Sequence, residues 1–291
     1  MKVAKFKKVY IEITNLCNLK CSFCPGTERV PQIMSPELFN KCCQEVKSFT
    51  NYIYLHVMGE PLTHPYLSEL LEIAANYSLQ VNLTTNGILL EKAFDTLKKA
   101  KALRQLNISL HSYKCLSEHE IQDKLQVIRR FYEETSFINS RPYISLRLWN
   151  YRNISNMPDE FNQFVVSKIE KIFECTINND EMFSERGIKI GTSIFLSPEQ
   201  EFIWPELSHN IVEGRAFCMG LRDQAAILSN GSVVPCCLDR NAKIFLGNIC
   251  NNSFSECVES ERASALYKGF SEGICTEELC RRCSYRKRFT N

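Results

Sequence analysis

Three cysteines stand close together near the start of the chain, at positions 17, 21 and 24. Thiolates with this spacing can wrap a loop around three corners of a [4Fe–4S] cluster and leave the fourth iron open to a reactant. A zinc site would need a fourth ligand. His56 is the first histidine in the sequence, but it lies within a predicted strand. Because the loop around Cys17, Cys21 and Cys24 is polar, a purely structural role for the three thiols is disfavoured.

A second group of cysteines crowds the end of the chain. Cys280 and Cys283 form a Cys-x2-Cys pair, and Cys236 and Cys237 are neighbours in a predicted strand. Successive strand side chains point to opposite faces, so only one of Cys236 and Cys237 should face a shared site. A closing Cys-x2-Cys pair is also typical of a four-cysteine zinc site, which is the alternative. We expect six further cysteines to be small buried hydrophobic residues, namely Cys42, Cys43, Cys115, Cys175, Cys250 and Cys257.

The composition is that of a globular protein and bounds the class of function. The chain has 291 residues, of which 44% are hydrophobic and 23% charged, and its formal net charge is +2. This near-balance of charge argues against a nucleic-acid or acidic-membrane binder. No apolar run approaches the roughly 18 residues that a membrane span needs. Fifteen cysteines without a secretion signal indicate a reducing compartment, so we expect a cytoplasmic protein.

Strands and helices alternate over the first two thirds of the chain. The hydrophobic pattern predicts strands over 9–14, 52–58, 79–84, 105–110, 143–149 and 187–195. It predicts one helix that begins at Ser35-Pro36 and four further helices over 66–76, 90–101, 117–134 and 158–174. This alternation predicts parallel strands with right-handed helical crossovers. After about residue 200 cysteines multiply, and 227–237 predicts a hairpin that turns at Asn230-Gly231. We therefore expect one domain over 1–205 and a smaller one over 206–291.

The first cysteine group and its setting resemble a known family. A Cys-x3-Cys-x2-Cys loop after the first strand of a (β/α)6 pattern, with Phe23 before the third cysteine, resembles the radical S-adenosylmethionine (SAM) superfamily. The resemblance implies an α/β fold, a partial (β/α)6 TIM-like barrel with a small cysteine-rich C-terminal domain. In that family the open iron binds the amino and carboxylate groups of SAM. One electron from the cluster then cleaves SAM to a 5′-deoxyadenosyl radical, which removes a substrate hydrogen. The resemblance makes Cys17, Cys21 and Cys24 the catalytic cluster ligands.

A turn after the second strand is similar to a further element of the family. Met58-Gly59-Glu60-Pro61 corresponds to the Gly-Gly-Glu-Pro element, with Met58 in place of the first glycine. The resemblance implies that this turn contacts the SAM amino group, largely through backbone carbonyls. Met58 can still offer its carbonyl, although its side chain should narrow the loop. Phe23, Met58, Gly59 and Glu60 are therefore expected to bind SAM. The alternative is a Gly-Pro turn that only closes a strand.

Four more residues match the family near the ends of later strands. Thr85 and Asn86 belong to a Thr-Asn-Gly element, which alone indicates only a turn. Ser109 matches a position that contacts the SAM ribose or carboxylate, and Arg147 one whose guanidinium can pair with that carboxylate. An arginine in an apolar strand needs a partner, and a carboxylate is a natural bidentate one. The alternatives are a core hydroxyl for Ser109 and an internal salt bridge for Arg147.

The second cysteine group resembles the twitch form of the SPASM domain, which follows the barrel in many radical SAM enzymes. The shared features are a hairpin, a Leu-Gly-Asn element at 246–248, a short helix and the closing Cys-x2-Cys pair. The sequence stops too soon after Cys283 for the seven-cysteine form, so we expect one auxiliary cluster rather than two. Cys237 or Cys275 could replace one of its ligands. The resemblance implies an auxiliary [4Fe–4S] cluster held by Cys218, Cys236, Cys280 and Cys283.

The resemblance implies an enzyme, and we expect a two-electron oxidation of a small molecule or a peptide. Relatives with this architecture oxidise aminocyclitols, modify ribosomally made peptides or oxidise a side chain of another enzyme. The first strand begins too early for an N-terminal leader-recognition domain, which weakly favours a small molecule or a peptide presented by a partner. The main alternative is an epimerase with a cysteine as hydrogen donor. The alternative of another class is a non-catalytic iron–sulfur or zinc protein.

The tail from Arg281 to Arg288 is strongly basic. A solvated face is its simplest interpretation. Its positive charges could instead raise the potential of an anionic cluster or attract an acidic electron donor such as flavodoxin or ferredoxin. We expect a donor of this type, no nucleic acid and no membrane.

Overall fold

The computed structural model describes residues 6–136, 142–151, 160–178 and 187–289. The chain forms two compact units. The first combines the N-terminal segment up to Val81 with the chain from Phe202 onward, and the second runs from Asn82 to Glu201. The domain boundary expected after residue 205 stays a prediction.

The elements alternate much as the sequence predicts. The strands are β1 Lys8–Ile11, β2 Tyr52–Tyr54, β3 Gln80–Thr85, β4 Leu103–Ser109, β5 Tyr143–Tyr151, β6 Ile188–Lys189, β7 Ile194–Gln200, β8 Gln224–Ile227, β9 Ser232–Val234 and β10 Gly247–Asn248. The α-helices are α1 Pro36–Val46, α2 Leu67–Asn76, α3 Leu90–Lys99, α4 Glu118–Thr135, α5 Glu160–Phe173, α6 Phe254–Val258, α7 Glu261–Glu272 and α8 Glu278–Arg281. Residues 158 and 159, the predicted start of α5, lie outside the described residues.

The first unit contains a sheet in the order β10–β9–β8–β1–β2. β1 lies parallel to β2 on one side and to β8 on the other. β8 and β9 form the antiparallel hairpin predicted from Asn230-Gly231, and Gly231 has a φ of 85°, which favours glycine. α1 begins as predicted, because the Ser35 hydroxyl accepts the Leu38 N–H at 3.2 Å. The C-terminal hairpin therefore extends the N-terminal sheet.

β1 and β2 end earlier than the sequence predicts, at Ile11 and Tyr54. A buried carboxylate explains the difference. Glu12 accepts the backbone N–H of Met58 at 3.0 Å and that of Ser229 at 3.1 Å. These side-chain bonds satisfy backbone donors that a longer strand would pair with a neighbouring strand.

The second unit contains strands in the order β3–β4–β5–β7–β6. β4, β5 and β7 are parallel, as expected for helical crossovers. The single strand predicted over 187–195 is wrong, because β6 and β7 form an antiparallel hairpin there. The chain reverses tightly where the N–H groups of Ile190 and Gly191 both donate to the Ile194 carbonyl, at 3.0 and 3.1 Å. A Cβ at Gly191 would lie 2.5 Å from the Tyr132 hydroxyl, so a larger residue in this turn would displace the Tyr132 side chain.

The C-terminal segment is more helical than the sequence predicts. α7 has twelve residues, buries Leu266 and Phe270, and ends at Gly273 with a φ of 80°. α8 is a single turn that carries Cys280. Among the described helices, none combines the length and the apolar character that crossing a membrane requires.

Candidate functional site

The three N-terminal cysteines lie on the segment from Asn15 to Gln32, here called the cluster loop. Its ends are held together by two bonds between these residues. The Asn15 N–H donates to the Gln32 carbonyl at 3.2 Å, and the Asn15 side-chain oxygen accepts the Gln32 N–H at 2.7 Å. Cys17 and Cys24 are exposed, Cys21 is half-buried, and all three are free thiols. The closed loop thus leaves the thiols accessible.

The donor set of the cluster loop fits an iron–sulfur cluster with three protein ligands. Thiolates are the usual ligands of such clusters, and backbone N–H groups near the sulfurs tune them. The Leu19 N–H lies 3.5 Å from Cys17 Sγ. His56, the zinc ligand considered from the sequence, packs edge-on against Tyr10 and Tyr54. Within the described ranges, no three His, Cys, Asp or Glu side chains form a group that could hold a single metal ion.

The turn from Met58 to Glu60 packs against the cluster loop. The Glu60 N–H donates to the Leu16 carbonyl at 2.8 Å. Gly59 has a φ of 78°, and a Cβ there would lie 2.4 Å from the Thr14 carbonyl oxygen. Only glycine permits this close approach of two backbones. The structure therefore brings together the turn and the cysteine loop that the sequence resemblance pairs.

The side chains of this turn have structural partners. Met58 is buried in a hydrophobic cluster with Tyr10 and Leu228, so the core accommodates the side chain that replaces a family glycine. The Glu60 carboxylate accepts the Leu62 N–H at 3.0 Å and caps the following 3₁₀ turn. The family resemblance implies that this turn contacts SAM largely through its backbone carbonyls. The structural roles of the Met58 and Glu60 side chains do not conflict with that expectation.

A buried ion pair connects the cluster loop with the C-terminal hairpin. Glu12 is fully buried, and both its oxygens lie 2.7 Å from Arg29 Nη2. Glu12 also accepts the Ser229 hydroxyl at 2.9 Å. A buried carboxylate needs such compensation. The sequence indicates Glu12 only as a polar residue near a strand end, because its partner on the hairpin is 217 positions away.

Two arginines exchange bonds between the same segments. Arg29 Nε donates to the Arg240 carbonyl at 2.6 Å, and Arg240 Nε donates to the Gly26 carbonyl at 2.7 Å. The Arg240 guanidinium also pairs with Glu206. Gly26 follows Cys24 by two residues, and Arg240 follows Cys236 by four. The segments that carry the two cysteine groups are thus bonded to each other within the first unit.

The predicted auxiliary ligands converge on one cavity. Its lining includes Cys218, Cys236, Cys280 and Cys283, together with apolar residues such as Leu238 and Phe270. The cavity is partly open to solvent, and the four thiols share its lining. The structure thus brings together four cysteines that span 66 positions in the sequence.

The four thiols are close enough to affect each other's protonation. Burial raises the pKa of the Cys236 thiol well above its usual range, and the neighbouring thiols, Cys218, Cys280 and Cys283 among them, add to this effect. Burial likewise raises the pKa of Cys283 to about 11, with a contribution from Cys218. Iron displaces the thiol protons when it binds, so such thiols can still become ligands.

The two alternative ligands differ in position. Cys237 packs against the hydrophobic cluster that contains Tyr10, and its thiol is hydrogen-bonded to the Tyr10 hydroxyl. The two cysteines lie in the turn after β9 rather than in the predicted strand, so strand alternation does not account for this placement. Cys275 is half-buried and close enough to Cys280 to raise the pKa of that thiol. Each of the two alternatives therefore lies close enough to a proposed ligand to raise its pKa, Cys237 for Cys236 and Cys275 for Cys280.

Arg286 is a cavity residue that the sequence does not single out. It belongs to the basic tail, yet it is 4% exposed and lines the four-cysteine cavity. Among the described residues its Nε, also buried, has no hydrogen-bond acceptor. A buried cation with an unused donor suits an anionic group in the cavity. The four cysteines and Arg286 together fit an iron–sulfur cluster.

In the second unit, three predicted SAM-binding residues lie at or just after strand ends, namely Thr85, Asn86 and Ser109, whereas Arg147 lies in the middle of β5. The Thr85 hydroxyl accepts the Gly87 N–H at 2.9 Å, and the Asn86 side chain accepts the Ile88 N–H at 3.0 Å, so both shape the turn after β3. Ser109 and Arg147 are direct partners in the register of β4 and β5. The two side chains are therefore neighbours on one face of the sheet.

Arg147 is half-buried, and its guanidinium lies 4.3 Å from the centre of the Trp149 ring. His111 Nδ1 lies 3.2 Å from the Arg147 carbonyl and 3.3 Å from the Trp149 N–H. Burial, with a smaller contribution from the Arg147 charge, lowers the pKa of His111 to about 4, so the ring is neutral near pH 7. In the neutral imidazole, Nδ1 either donates to the Arg147 carbonyl or accepts the Trp149 N–H, so it holds the strand backbone beside Arg147 by one of these bonds at a time.

Comparison with known families gives two matches. The radical SAM superfamily matches residues 11–135, and the SPASM iron–sulfur cluster-binding domain matches residues 218–284. A probable GTP 3′,8-cyclase of Methanococcus vannielii is 33% identical over 137 residues, which are 45% of this chain and 46% of that protein. The tungsten-containing aldehyde ferredoxin oxidoreductase cofactor-modifying protein of Pyrococcus furiosus is 31% identical over 108 residues, 36% of this chain and 29% of that protein. The chain thus spans less than half the length of these curated relatives.

Solved structures with a similar fold cover nearly the whole chain. BtrN in complex with AdoMet and 2-DOIA is 17% identical, with a TM-score of 0.57 over 96% of this chain and 93% of that one. Streptococcus suis SuiB bound to precursor peptide SuiA is 13% identical, with a TM-score of 0.62 over 99% of this chain and 74% of that one. These likenesses confirm the expected fold class, an α/β partial barrel with a small cysteine-rich domain. Residues 11–135 therefore match the radical SAM superfamily and residues 218–284 the SPASM domain, and these two matches imply SAM and two iron–sulfur clusters as cofactors.

Proposed function

We propose that the chain is a radical SAM oxidoreductase that removes two hydrogens, as two electrons and two protons, from a small molecule or a peptide. The observation that carries the proposal is the four-cysteine cavity. If Cys218, Cys236, Cys280 and Cys283 all bind one four-iron cluster, each iron has a protein ligand and none is open to substrate. Such a capped cluster suits electron acceptance from a distance rather than substrate binding.

Cys17, Cys21 and Cys24 would hold the other cluster and leave one iron for SAM. When bound, this cluster and SAM supply the 5′-deoxyadenosyl radical that abstracts a substrate hydrogen. The chain's own contribution is positioning. The closed cluster loop presents the three thiols and the partly exposed ring of Phe23, and the turn from Met58 to Glu60 offers backbone carbonyls beside it.

We further propose, from the family resemblance, that Thr85, Asn86, Ser109 and Arg147 contribute to SAM binding. The side-by-side register of Ser109 and Arg147 supports this assignment. It pairs a hydroxyl with a guanidinium, and those groups suit a ribose hydroxyl and a carboxylate.

Replacing Arg147 with alanine should weaken SAM binding by about ten-fold or more. A hydrogen bond to a charged group contributes roughly 1.5–3 kcal/mol, and about 1.4 kcal/mol corresponds to ten-fold in affinity. Anaerobic calorimetry on the reconstituted protein measures the affinity. Arg104→Ala is the matched control, because the Arg104 guanidinium also lies over an aromatic ring, that of Tyr143, at 5.8 Å. An unchanged affinity in Arg147→Ala would contradict a role of Arg147 in SAM binding.

The substrate and partners are proposed from chemistry and from the structural neighbours. BtrN is described in complex with 2-DOIA and SuiB with a precursor peptide, so a related fold accepts either kind of ligand. A flavodoxin or ferredoxin-type protein is the proposed electron donor. All fifteen cysteines are free thiols, which supports a reducing compartment, and we propose the cytoplasm.

If the reaction is an oxidation, the product should be two hydrogens lighter than the substrate and carry no solvent deuterium at carbon. The test incubates the reduced protein and SAM in D2O with aminocyclitols and with cysteine- or serine-containing peptides, followed by mass spectrometry. The 5′-deoxyadenosyl radical removes one hydrogen atom, and the capped cluster can accept the remaining electron as a proton leaves, so net loss of two hydrogens is expected. A product that has lost no hydrogens, and in which one deuterium replaces a hydrogen at carbon, would contradict the oxidation.

The second candidate function is epimerisation, and Cys237 is the observation that favours it. The Cys237 thiol is hydrogen-bonded to Tyr10. It lies next to Cys236 in the sequence and is available as a hydrogen-atom donor. Cys237→Ser distinguishes the two functions. Epimerisation should stop in this variant, whereas oxidation should continue. The control is Cys115→Ser, because Cys115 is an exposed thiol in the other unit.

A further inference from the structure

We infer that Arg286 donates its Nε–H to the auxiliary cluster and raises the cluster's reduction potential. The inference rests on the proposed function, because it places that cluster in the four-cysteine cavity. It assigns a specific role to one residue of a tail whose simplest interpretation from sequence is a solvated face.

The position of Arg286 is fixed by its terminal nitrogens. Nη1 donates to the Arg215 carbonyl at 3.0 Å, and Nη2 donates to the Val212 carbonyl. The residue lies on the 3₁₀ turn Ser284–Phe289, directly after Cys283, and is almost fully buried. Because both terminal nitrogens are hydrogen-bonded, the guanidinium cannot turn away from the four-cysteine cavity without breaking two partly buried hydrogen bonds.

Nε is the donor that remains. It is buried, and the described part of the chain offers it no acceptor. A buried N–H without an acceptor costs free energy, so native structures rarely leave one unpaired. Arg282 also has a buried, unpartnered Nε, but Arg286 is the one that lines the cavity with the four cysteines. A cluster sulfur or ligand thiolate in the cavity is an acceptor of the right chemistry.

The guanidinium of Arg286 is a permanent, almost fully buried cation in the lining of the cavity that the four cysteines share. Its charge acts on any cluster bound there. One-electron reduction adds a negative charge, which a nearby cation and an N–H···S bond stabilise. Arg286 therefore makes the auxiliary cluster a better acceptor for the electron that the substrate gives up.

The test measures the midpoint potential of the auxiliary cluster alone. The parent protein carries alanine at Cys17, Cys21 and Cys24, so that the SAM-binding cluster is absent. Arg286→Gln and Arg286→Lys are introduced into this parent, and each reconstituted protein is titrated anaerobically with EPR detection. Arg282→Gln is the matched control. Arg282 lies between Cys280 and Cys283 in the sequence and is paired with Glu278, so this substitution also removes one positive charge close to two of the cysteines.

Arg286→Gln should lower the midpoint potential, and Arg286→Lys, which keeps the charge but loses the planar N–H donor, should lower it less. Arg282→Gln should shift it least. Equal shifts in Arg286→Gln and Arg282→Gln, or no shift in the Arg286 variants, would overturn the inference. If Arg286→Gln fails to fold, the comparison of Arg286→Lys with Arg282→Gln decides. A parent without a cluster would overturn the assignment of the four cysteines itself.

Discussion

Replacing Cys17, Cys21 and Cys24 together with alanine should abolish the formation of 5′-deoxyadenosine and halve the iron content. Two four-iron clusters give about eight irons per chain, and the variant should keep about four. The fold should survive, because the closed cluster loop is held by Asn15, Gln32 and the Glu12–Arg29 pair rather than by the thiols. Iron analysis and chromatography of the SAM products, after anaerobic reconstitution and dithionite reduction, measure both effects.

The complementary variant sharpens this prediction. Alanine at Cys218, Cys236, Cys280 and Cys283 should also leave about four irons, but SAM cleavage should persist without conversion of substrate. Cys115→Ala should keep all the iron, since Cys115 belongs to neither group. Zinc at the four-cysteine site of the wild-type protein, with only about four irons per chain, would contradict the auxiliary cluster.

Gly59→Ala should destabilise the protein by about 2–5 kcal/mol and abolish measurable SAM binding. Its φ of 78° disfavours a side chain, and the new Cβ would lie 2.4 Å from the Thr14 carbonyl oxygen and 2.8 Å from that of Leu16. Both contacts are with backbone, so no side-chain rotation relieves them. The turn must therefore move away from the cluster loop. Denaturant unfolding of the apoprotein and SAM calorimetry measure the two effects.

Gly26→Ala is the control that separates the backbone strain of a positive φ from the steric clash of the new Cβ. Gly26 has a φ of 64°, and a Cβ there meets nothing within 4 Å. The free energy of unfolding of this variant should fall by only about 1–2 kcal/mol, the conformational cost of a side chain at positive φ, and SAM binding should be retained. Equal losses in the two variants would show that the close packing of turn and loop contributes nothing.

The sequence predicts local features of this site better than its long-range bonds. The cluster loop, the cap of α1 at Ser35 and the turn at Gly59 each depend on a few neighbouring residues, so their patterns are visible in order. The pairing of β1 with β8 and the bond from Ser229 to Glu12 join positions more than 200 apart, and no local period encodes them. The position of Arg286 could not be predicted from the sequence for the same reason, because its guanidinium is held by the distant carbonyls of Val212 and Arg215.

The hairpin of β6 and β7 shows how a correct apolar pattern can still give the wrong element. The run from 187 to 195 alternates well enough for one strand, but the turn at Gly191 fits against Tyr132 on α4 and divides it. A contact 59 residues away thus decides the local structure.

The most direct test of the account is the fate of SAM in the wild-type protein. The reconstituted protein is reduced with dithionite under anaerobic conditions and incubated with SAM, and the products are separated and quantified. The account predicts 5′-deoxyadenosine and methionine in equal amounts, formed only when iron, sulfide and reductant are all supplied. Intact SAM after incubation of a protein that holds both clusters would contradict it.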